Sequence, residues 1–276
     1  MAQLNERDVA VCVSRLNSTL RDEMQGALNG VIVVAGGFVR SVIAHETIND
    51  IDVFISNDVS LNVLNQRLTK AGFAAQSSPN ATTFVNNDRT PVQVITRWMF
   101  GNTDKFTDLR LGTEAEKKLA ASMMLQDVIA SFDFTVCQAG IICMPGGKWM
   151  GMCSDNFYED LAAKRLVYTR PDRKEDAGGS MLRLLKYTAR GYRATLGSVS
   201  AVAARWLMGQ STGGCELRIR KDGVVDAVTV GPDPGDWMTP IQNFTTLDEE
   251  QVAAVLEDRL VEIDPPIDVS VLPYTS

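Results

Sequence analysis

Histidine is almost missing from this sequence: His45 is the only one in 276 residues. A metal centre built from several imidazoles is thereby excluded, and no nucleophile motif accompanies His45 to make a catalytic triad. Cysteine is present, but in no ligand pattern. Five thiols (Cys12, Cys137, Cys143, Cys153 and Cys215) are an odd number scattered through mostly apolar stretches, so reduced cysteines of a cytoplasmic protein are expected. No apolar run approaches the ~20 residues of a membrane span, so no membrane partner is expected. The opening MAQLNERDVAV has no signal-peptide core. Positive charge is in deficit, with a net charge of -7 and a pI near 4.9. A general nucleic-acid coat would be basic, so any contact with a polyanion must come from a local patch. Repeats and low-complexity linkers are also absent. What remains is ordinary globular composition, 45% hydrophobic and 22% charged, in a chain long enough for one large domain or two modest ones.

Periodicity divides the chain into short elements. Residues 6–28 have helical spacing, with Val9, Val13, Leu16, Leu20 and Met24 on one side. Residues 31–35 are a continuous apolar run, read as a buried strand. A short helix from Phe38 to His45, a strand from Asp50 to Ile55 and a helix over 59–71 follow. Strands are expected near 73–77, 82–86 and 91–97, a helix over 113–129, and a strand over 132–143 that turns at Pro145-Gly146-Gly147 into another. Two or three helices come next, near 155–165 and 178–208. Asp222-Gly223 marks a hairpin, and Thr246 with Glu249 makes a capping box for a helix to about Leu260.

Two motifs carry chemistry. Gly36-Gly37 lies between the buried strand and the short helix, where glycine lets the backbone approach a ligand and a helix start suits phosphate. The plain alternative is a turn and nothing more. In Asp50-Ile51-Asp52 both carboxylates project from one strand face. They repel each other unless a cation lies between them, and Mg²⁺ commonly binds one or two carboxylates plus substrate phosphates. Here the alternative is a solvent-facing edge strand with two harmless charges.

The combination Gly36-Gly37-Phe38-Val39-Arg40 followed by Asp50-Ile51-Asp52 resembles the nucleotidyltransferase superfamily that includes DNA polymerase β. It is closest to the branch of the tRNA CCA-adding enzymes and bacterial poly(A) polymerases, with Ser41 in place of an aspartate. Val92 to Arg97 resembles that branch's Ile-Glu-Val-Ala-Thr-Phe-Arg strand, with Gln93 for glutamate. Phe132-Asp133-Phe134-Thr135-Val136 resembles Arg-Arg-Asp-Phe-Thr-Ile, with Ser131 and Phe132 for the arginines. Met181 to Lys186 resembles Asp-Pro-Leu-Arg-Leu-Leu-Arg, and Gly179 and Ser180 stand where an acid reads the base. The resemblance runs over about residues 30–196.

It implies an α+β fold: a polymerase β-like domain with a mixed sheet and flanking helices over 1–153, then a helical nucleotide- and acceptor-binding region over 154–210. A hairpin–helix segment of unknown role fills 211–276. It implies transfer of a nucleoside monophosphate from a nucleoside triphosphate to an acceptor hydroxyl, an RNA end or another macromolecule, with Mg²⁺ or Mn²⁺ as cofactor. Asp50 and Asp52 would hold the metal, and Gly36, Gly37, Arg40, Arg97, Arg183 and Lys186 would meet the nucleotide. Asp133 would be a ribose contact or a third metal-side carboxylate. The alternative is a non-catalytic nucleotide-binding or interaction protein on the same fold. Lys164 to Arg193 holds nine Lys/Arg against three Asp/Glu. On a continuous helix Arg183, Lys186, Arg190 and Arg193 share an arc of roughly 80°, beside an apolar face of Leu185, Ala189, Tyr192 and Leu196. Arg190 and Arg193 are therefore expected to face acceptor or triphosphate phosphates.

Overall fold

The structure, a computed structural model, describes residues 1–20, 32–55, 58–77, 81–95, 112–144, 147–171, 178–213, 216–219, 225–228 and 248–261. The chain divides into two compact units, one of Met1–Ala162 with Pro171–Arg173, the other of Ala163–Arg170 with Lys174–Ser276.

The first unit is built on one mixed sheet. Its strands are β1 (Ala2–Gln3), β2 (Ile32–Ala35), β3 (Ile51–Ile55), β4 (Ala74–Ser77), β5 (Ala81–Asn86), β6 (Arg89–Ile95), β7 (Ala139–Cys143) and β8 (Trp149–Cys153). They lie in the order β1-β8-β7-β2-β3-β6-β5-β4, and every ladder is antiparallel except β3–β6. The helices are α1 (Glu6–Leu20), α2 (Gly37–Ile43), α3 (Asp58–Lys70), α4 (Glu114–Ala130) and α5 (Phe157–Ala162). β2 is buried along its whole length because apolar side chains occupy both of its faces. On one face α4 packs Ala121, Met124, Leu125 and Val128 against Val33, Phe54 and Ile142. Its start is set by a capping box, in which Thr113 accepts from the Glu116 N–H and Glu116 accepts from the Thr113 N–H. On the opposite face α1 lies against β8, where a side chain at Gly151 would strike Val9 and Leu4.

The second unit contains β9 (Arg165–Leu166), α6 (Gly178–Thr188), β10 (Arg193–Ala194), α7 (Leu196–Gly213), β11 (Glu216–Ile219), β12 (Val225–Val228) and α8 (Glu249–Val261). β9 and β10 pair in parallel, and β11 and β12 form the antiparallel ladder expected around Asp222-Gly223. Val202 and Ala203 of α7, and Val252 and Leu256 of α8, are buried.

Three local expectations are corrected. Residues 132–143 are not one strand: Thr135–Cys137 is a 3₁₀ turn and the strand starts at Ala139. The basic stretch from Arg183 to Leu196 is not one continuous helix. α6 ends at Thr188, where the Tyr192 N–H donates to Tyr187 O (3.0 Å) and Gly191 takes a φ of +84°, a glycine-favoured C-terminal stop. The apolar face read from a continuous helix shifts accordingly: Leu184 and Tyr187 are buried, while Leu185 is exposed. At α8 the reciprocal cap is formed by Asp248 and Gln251, each accepting from the other's backbone N–H. Thr246 lies outside the described residues, as do the expected helical residues 21–28.

Candidate active site

β3 is a central strand, flanked by β2 and β6, so the edge-strand reading of Asp50-Ile51-Asp52 does not hold. Ile51, Val53 and Ile55 are buried. Asp52 faces the other way, on the side that α4 covers through Phe54, and is half-buried. Asp50 immediately precedes β3 and is also half-buried. Its Oδ1 lies 4.0 Å from the point where a Cβ on Gly37 would sit, so the first carboxylate stands against the glycine turn.

The two glycines differ in kind. Gly36 has φ +80° and ψ -132°, and a Cβ there would fall 2.5 Å from Cε1 of Phe132. Both backbone and neighbour therefore demand glycine. The Gly36 N–H is anchored to Ala139 O at 2.9 Å. Gly37 is under neither constraint; its Cβ position meets only Asp50 Oδ1 within 4 Å. Phe132 occupies the place of an arginine in the resembling motif. Its ring meets Phe54 edge-on, with centroids 6.1 Å apart, and borders the core beneath α4.

Gln93 on β6 is the register partner of Asp52, and in a parallel ladder the two side chains stand on the same sheet face. The glutamate of the resembling motif is thus replaced by an amide beside the second aspartate. Among the described residues no three His, Cys, Asp or Glu side chains form a group that could hold a metal ion. Asp133 is buried at the start of the turn into β7, where Gln138 Nε2 donates to Phe132 O at 3.2 Å.

Arg40 departs from its sequence reading. Its side chain is only 2% exposed: Nε lies 3.4 Å from Glu46 Oε2, Nη2 donates to Ser41 Oγ (2.9 Å) and Nη1 donates to Cys137 Sγ (3.9 Å). The residue expected on the triphosphate has its guanidinium in the interior. There Glu46 supplies a carboxylate and Ser41, which replaces the motif's aspartate, supplies a hydroxyl. Sequence reasoning missed Glu46; the only signal was an acid six residues beyond the arginine. His45 lies next to it in the loop from α2 to β3, at φ +55°.

The remaining candidates lie elsewhere in the chain. Arg97 is outside the described residues. Arg183 and Lys186 are on α6 in the second unit, and the Arg183 guanidinium folds back to within 3.6 Å of the Cβ position of Gly179. Arg190 and Arg193 are past the end of that helix, the latter in β10. A separate cleft of about 780 Å³ lies between α1 and β8, with Val9, Val13, Trp149 and Lys118 in its wall; none of the sequence-proposed site residues line it.

The family model described as "Gad2: Gabija anti-defense 2 family protein" matches residues 9–108, a span that holds Gly36, Gly37, Asp50, Asp52 and Gln93. No curated protein matches the sequence. Among solved structures, a CCA-adding enzyme with CTP matches at a TM-score of 0.50 and 14% identity, over 76% of this chain and 46% of that one. A CCA-adding enzyme with ATP matches at 0.51 and 13%, over 77% of this chain and 48% of that one. The chain thus spans about half the length of the solved chains it matches. At such identities the likeness is one of fold alone: a mixed α+β architecture with a central mixed sheet flanked by helices, shared with those CCA-adding enzymes.

Proposed function

We propose that this chain is a metal-dependent nucleotidyltransferase that moves a nucleoside monophosphate from a nucleoside triphosphate to an acceptor hydroxyl and releases pyrophosphate. The observation that carries the proposal is Asp50, with Asp52 two residues on, at one end of a central strand and against the glycine turn at Gly37. Two carboxylates joined by substrate phosphate oxygens make the hard, all-oxygen set that suits Mg²⁺ or Mn²⁺, and Asp50 and Asp52 would hold the ion. Bound there, it would lower the pKa of the acceptor hydroxyl and neutralise charge on the leaving pyrophosphate. Gly37 leaves the backbone open to a phosphate. The acceptor oxygen attacks the α-phosphorus, the bond to the bridging oxygen breaks, and its electron pair leaves with pyrophosphate; the hydroxyl proton goes to solvent. Asp133 serves as the ribose contact. Arg97, Arg183 and Lys186 are the further nucleotide contacts that the sequence resemblance implies, whereas Arg40 acts from the interior by fixing α2 to the Glu46 loop. In this reading residues 1–153 are the catalytic domain and 154–210 the nucleotide- and acceptor-binding region. The bound CTP and ATP of the solved relatives favour a nucleoside triphosphate as donor.

The matching family's description adds a setting. We infer that the transfer acts against Gabija, with an acceptor in that system. The experiment is release of pyrophosphate and incorporation of label from α-labelled nucleoside triphosphates with Mg²⁺, wild type against Asp50→Asn and Asp52→Asn, alongside protection assays in cells carrying Gabija. Each substitution is expected to abolish transfer and anti-defense together while the far-ultraviolet spectrum stays unchanged. Near-wild-type turnover in either would refute the two-carboxylate assignment. The buried Arg40, the amide at Gln93 and the phenyl ring at Phe132 favour a second reading, a non-catalytic binding protein on this fold. Its mark would be anti-defense that survives both aspartate substitutions.

A further inference from the structure

The outer edge of the first unit's sheet is covered along only part of its length. β8 pairs with β7 from Trp149 to Cys153, but β1 pairs with β8 only at Met152 and Cys153. The Leu4 N–H then donates to Gly151 O (3.0 Å), and the chain turns into α1. The Met144 N–H donates to Lys148 O (2.7 Å), so even-numbered residues of β8 turn their backbone polar groups toward β7 and odd-numbered ones turn theirs outward. The outward N–H and C=O of Trp149 lie two residues past the last contact with β1, and among the described residues nothing pairs with them. The cleft of about 780 Å³ opens at this point. α1 and α4 cover opposite faces of the sheet, yet both contribute to its wall, so the cleft wraps the edge itself. Gly151 faces Leu4 and Val9, which puts Trp149 on the α1 side with Val9 and Val13; Met150 packs toward α4. From α4 the wall receives Lys118, which is exposed and pairs with no carboxylate among the described residues, whereas Lys117 holds Glu114 at 3.1 Å. The other charge in the wall, Glu6, sits in the first turn of α1, where the helix dipole favours an acid. Beside Lys118, Leu119 and Met123 stand 63% and 50% exposed one turn apart on α4.

We propose that the outer edge of β8 accepts an extended segment of a partner protein as an added strand, with apolar and acidic residues alternating along it. An open strand edge asks for backbone donors and acceptors, and an extended peptide supplies them at every second residue. The peptide's side chains then fall alternately on the two sheet faces. One set meets the apolar wall of Trp149, Val9 and Val13; the other meets the Lys118 ammonium, which calls for a carboxylate. Length agrees with this occupant. The α1 wall runs from Glu6 to Asn17, about 16 Å at 1.5 Å per residue, and roughly five residues of extended chain span that distance. The exposed Leu119 and Met123 extend the apolar area that a protein, and not a small molecule, would cover. β7 and β2 separate β8 from β3, so this surface goes beyond the transfer reading and does not depend on it.

The test uses the full chain and a fluorescein-labelled heptapeptide of alternating valine and glutamate, followed by anisotropy. Two controls are the valine–lysine counterpart and a peptide of the same valine and glutamate content with the residues in blocks. The alternating glutamate peptide should bind roughly 10-fold or more tightly than either control. Only every second amide of an added strand faces β8, so N-methylation of one alternate set should abolish binding while methylation of the other set leaves it unchanged. Lys118→Glu should reverse the preference in favour of the lysine peptide. Ala10→Glu, at an exposed position in the α1 wall, should weaken the glutamate peptide roughly 10-fold. If that variant loses its far-ultraviolet spectrum, Ser14→Glu is read in its place with the same expectation. No binding of the alternating peptide at low salt would overturn the proposal and leave Lys118 as a guard of the edge. Equal binding of the block peptide, equal losses from both methylated sets, or an unchanged charge preference in Lys118→Glu would each overturn it as well. A concentration-dependent dimer that Ala10→Glu dissolves would overturn it in favour of a second copy of this chain.

Discussion

At the scale of single residues, the two adjacent glycines separate folding from ligand approach. Gly36→Ala has to place a methyl group against the Phe132 ring at a backbone angle alanine avoids, and should cost about 2 kcal/mol or more of stability. Gly37→Ala meets no such obstacle and replaces glycine inside a helix. It should therefore fold at least as well as wild type while raising the apparent KM for the nucleoside triphosphate several-fold. Urea unfolding and nucleotide titration, run on both variants, measure the two effects. Equal nucleotide affinity in Gly37→Ala and wild type would reduce the glycine pair to a turn. The placement of Asp50 and Asp52 at β3 and of the glycines at the turn before α2 was legible in the sequence because each sits in a pattern of two or three neighbouring letters. The interior position of Arg40 was not. Its partners Glu46 and Cys137 are brought to it by the α2 loop and the turn before β7, and only the fold makes that juxtaposition.

At the scale of elements, the sequence reading succeeded where apolar periodicity was strong and local. β2, β3, the β5–β6 hairpin and α4 fall within a few residues of expectation because buried runs and turn signals set them. It failed over 183–196, where the basic spacing looked continuous through Gly191. A helical period in side chains says nothing about a backbone that turns left-handed at one glycine. The cap of α8 was displaced for a related reason: Thr246/Glu249 and Asp248/Gln251 both satisfy the same spacing rule, and only geometry chooses. Asp248→Ala removes the side-chain acceptor for the Gln251 N–H and should cost about 1 kcal/mol. Urea unfolding followed by far-ultraviolet circular dichroism checks it. No measurable loss would mean that packing of α8, and not its cap, holds this end.

At the scale of the whole molecule, buried thiols couple stability to alkaline pH. Burial pushes Cys12 up to about 12 from 9.0, with the Asp8 carboxylate adding to the rise, and burial pushes Cys143 and Cys153 up to about 11. The folded chain therefore keeps these protons at a pH where the unfolded chain releases them. Raised acid pKa values of this kind leave stability intact below pH 9 and erode it as pH climbs from 9 toward 11–12. The urea midpoint should drop between pH 8 and pH 10, and a thiol reagent at pH 8 should label these three cysteines only on unfolding. Prompt labelling of the native chain would contradict their burial. Among the described residues no helix is long and apolar enough to cross a membrane.

The amide of Gln93 beside Asp52 bears on the order of events in time. In the proposed site, two carboxylates and a neutral neighbour would have modest affinity for a free divalent ion, so the cation should arrive already carried by the nucleotide and depart with the product. Between turnovers the pocket would stand empty, and free Mg²⁺ alone should barely change the melting temperature. Gln93→Glu exchanges an amide for a third carboxylate at almost constant volume. It should convert this transient visitor into a resident, seen as a melting temperature that rises with Mg²⁺ in the absence of nucleotide. A variant indifferent to the ion would mean that the face shared by β3 and β6 is not where the cation sits.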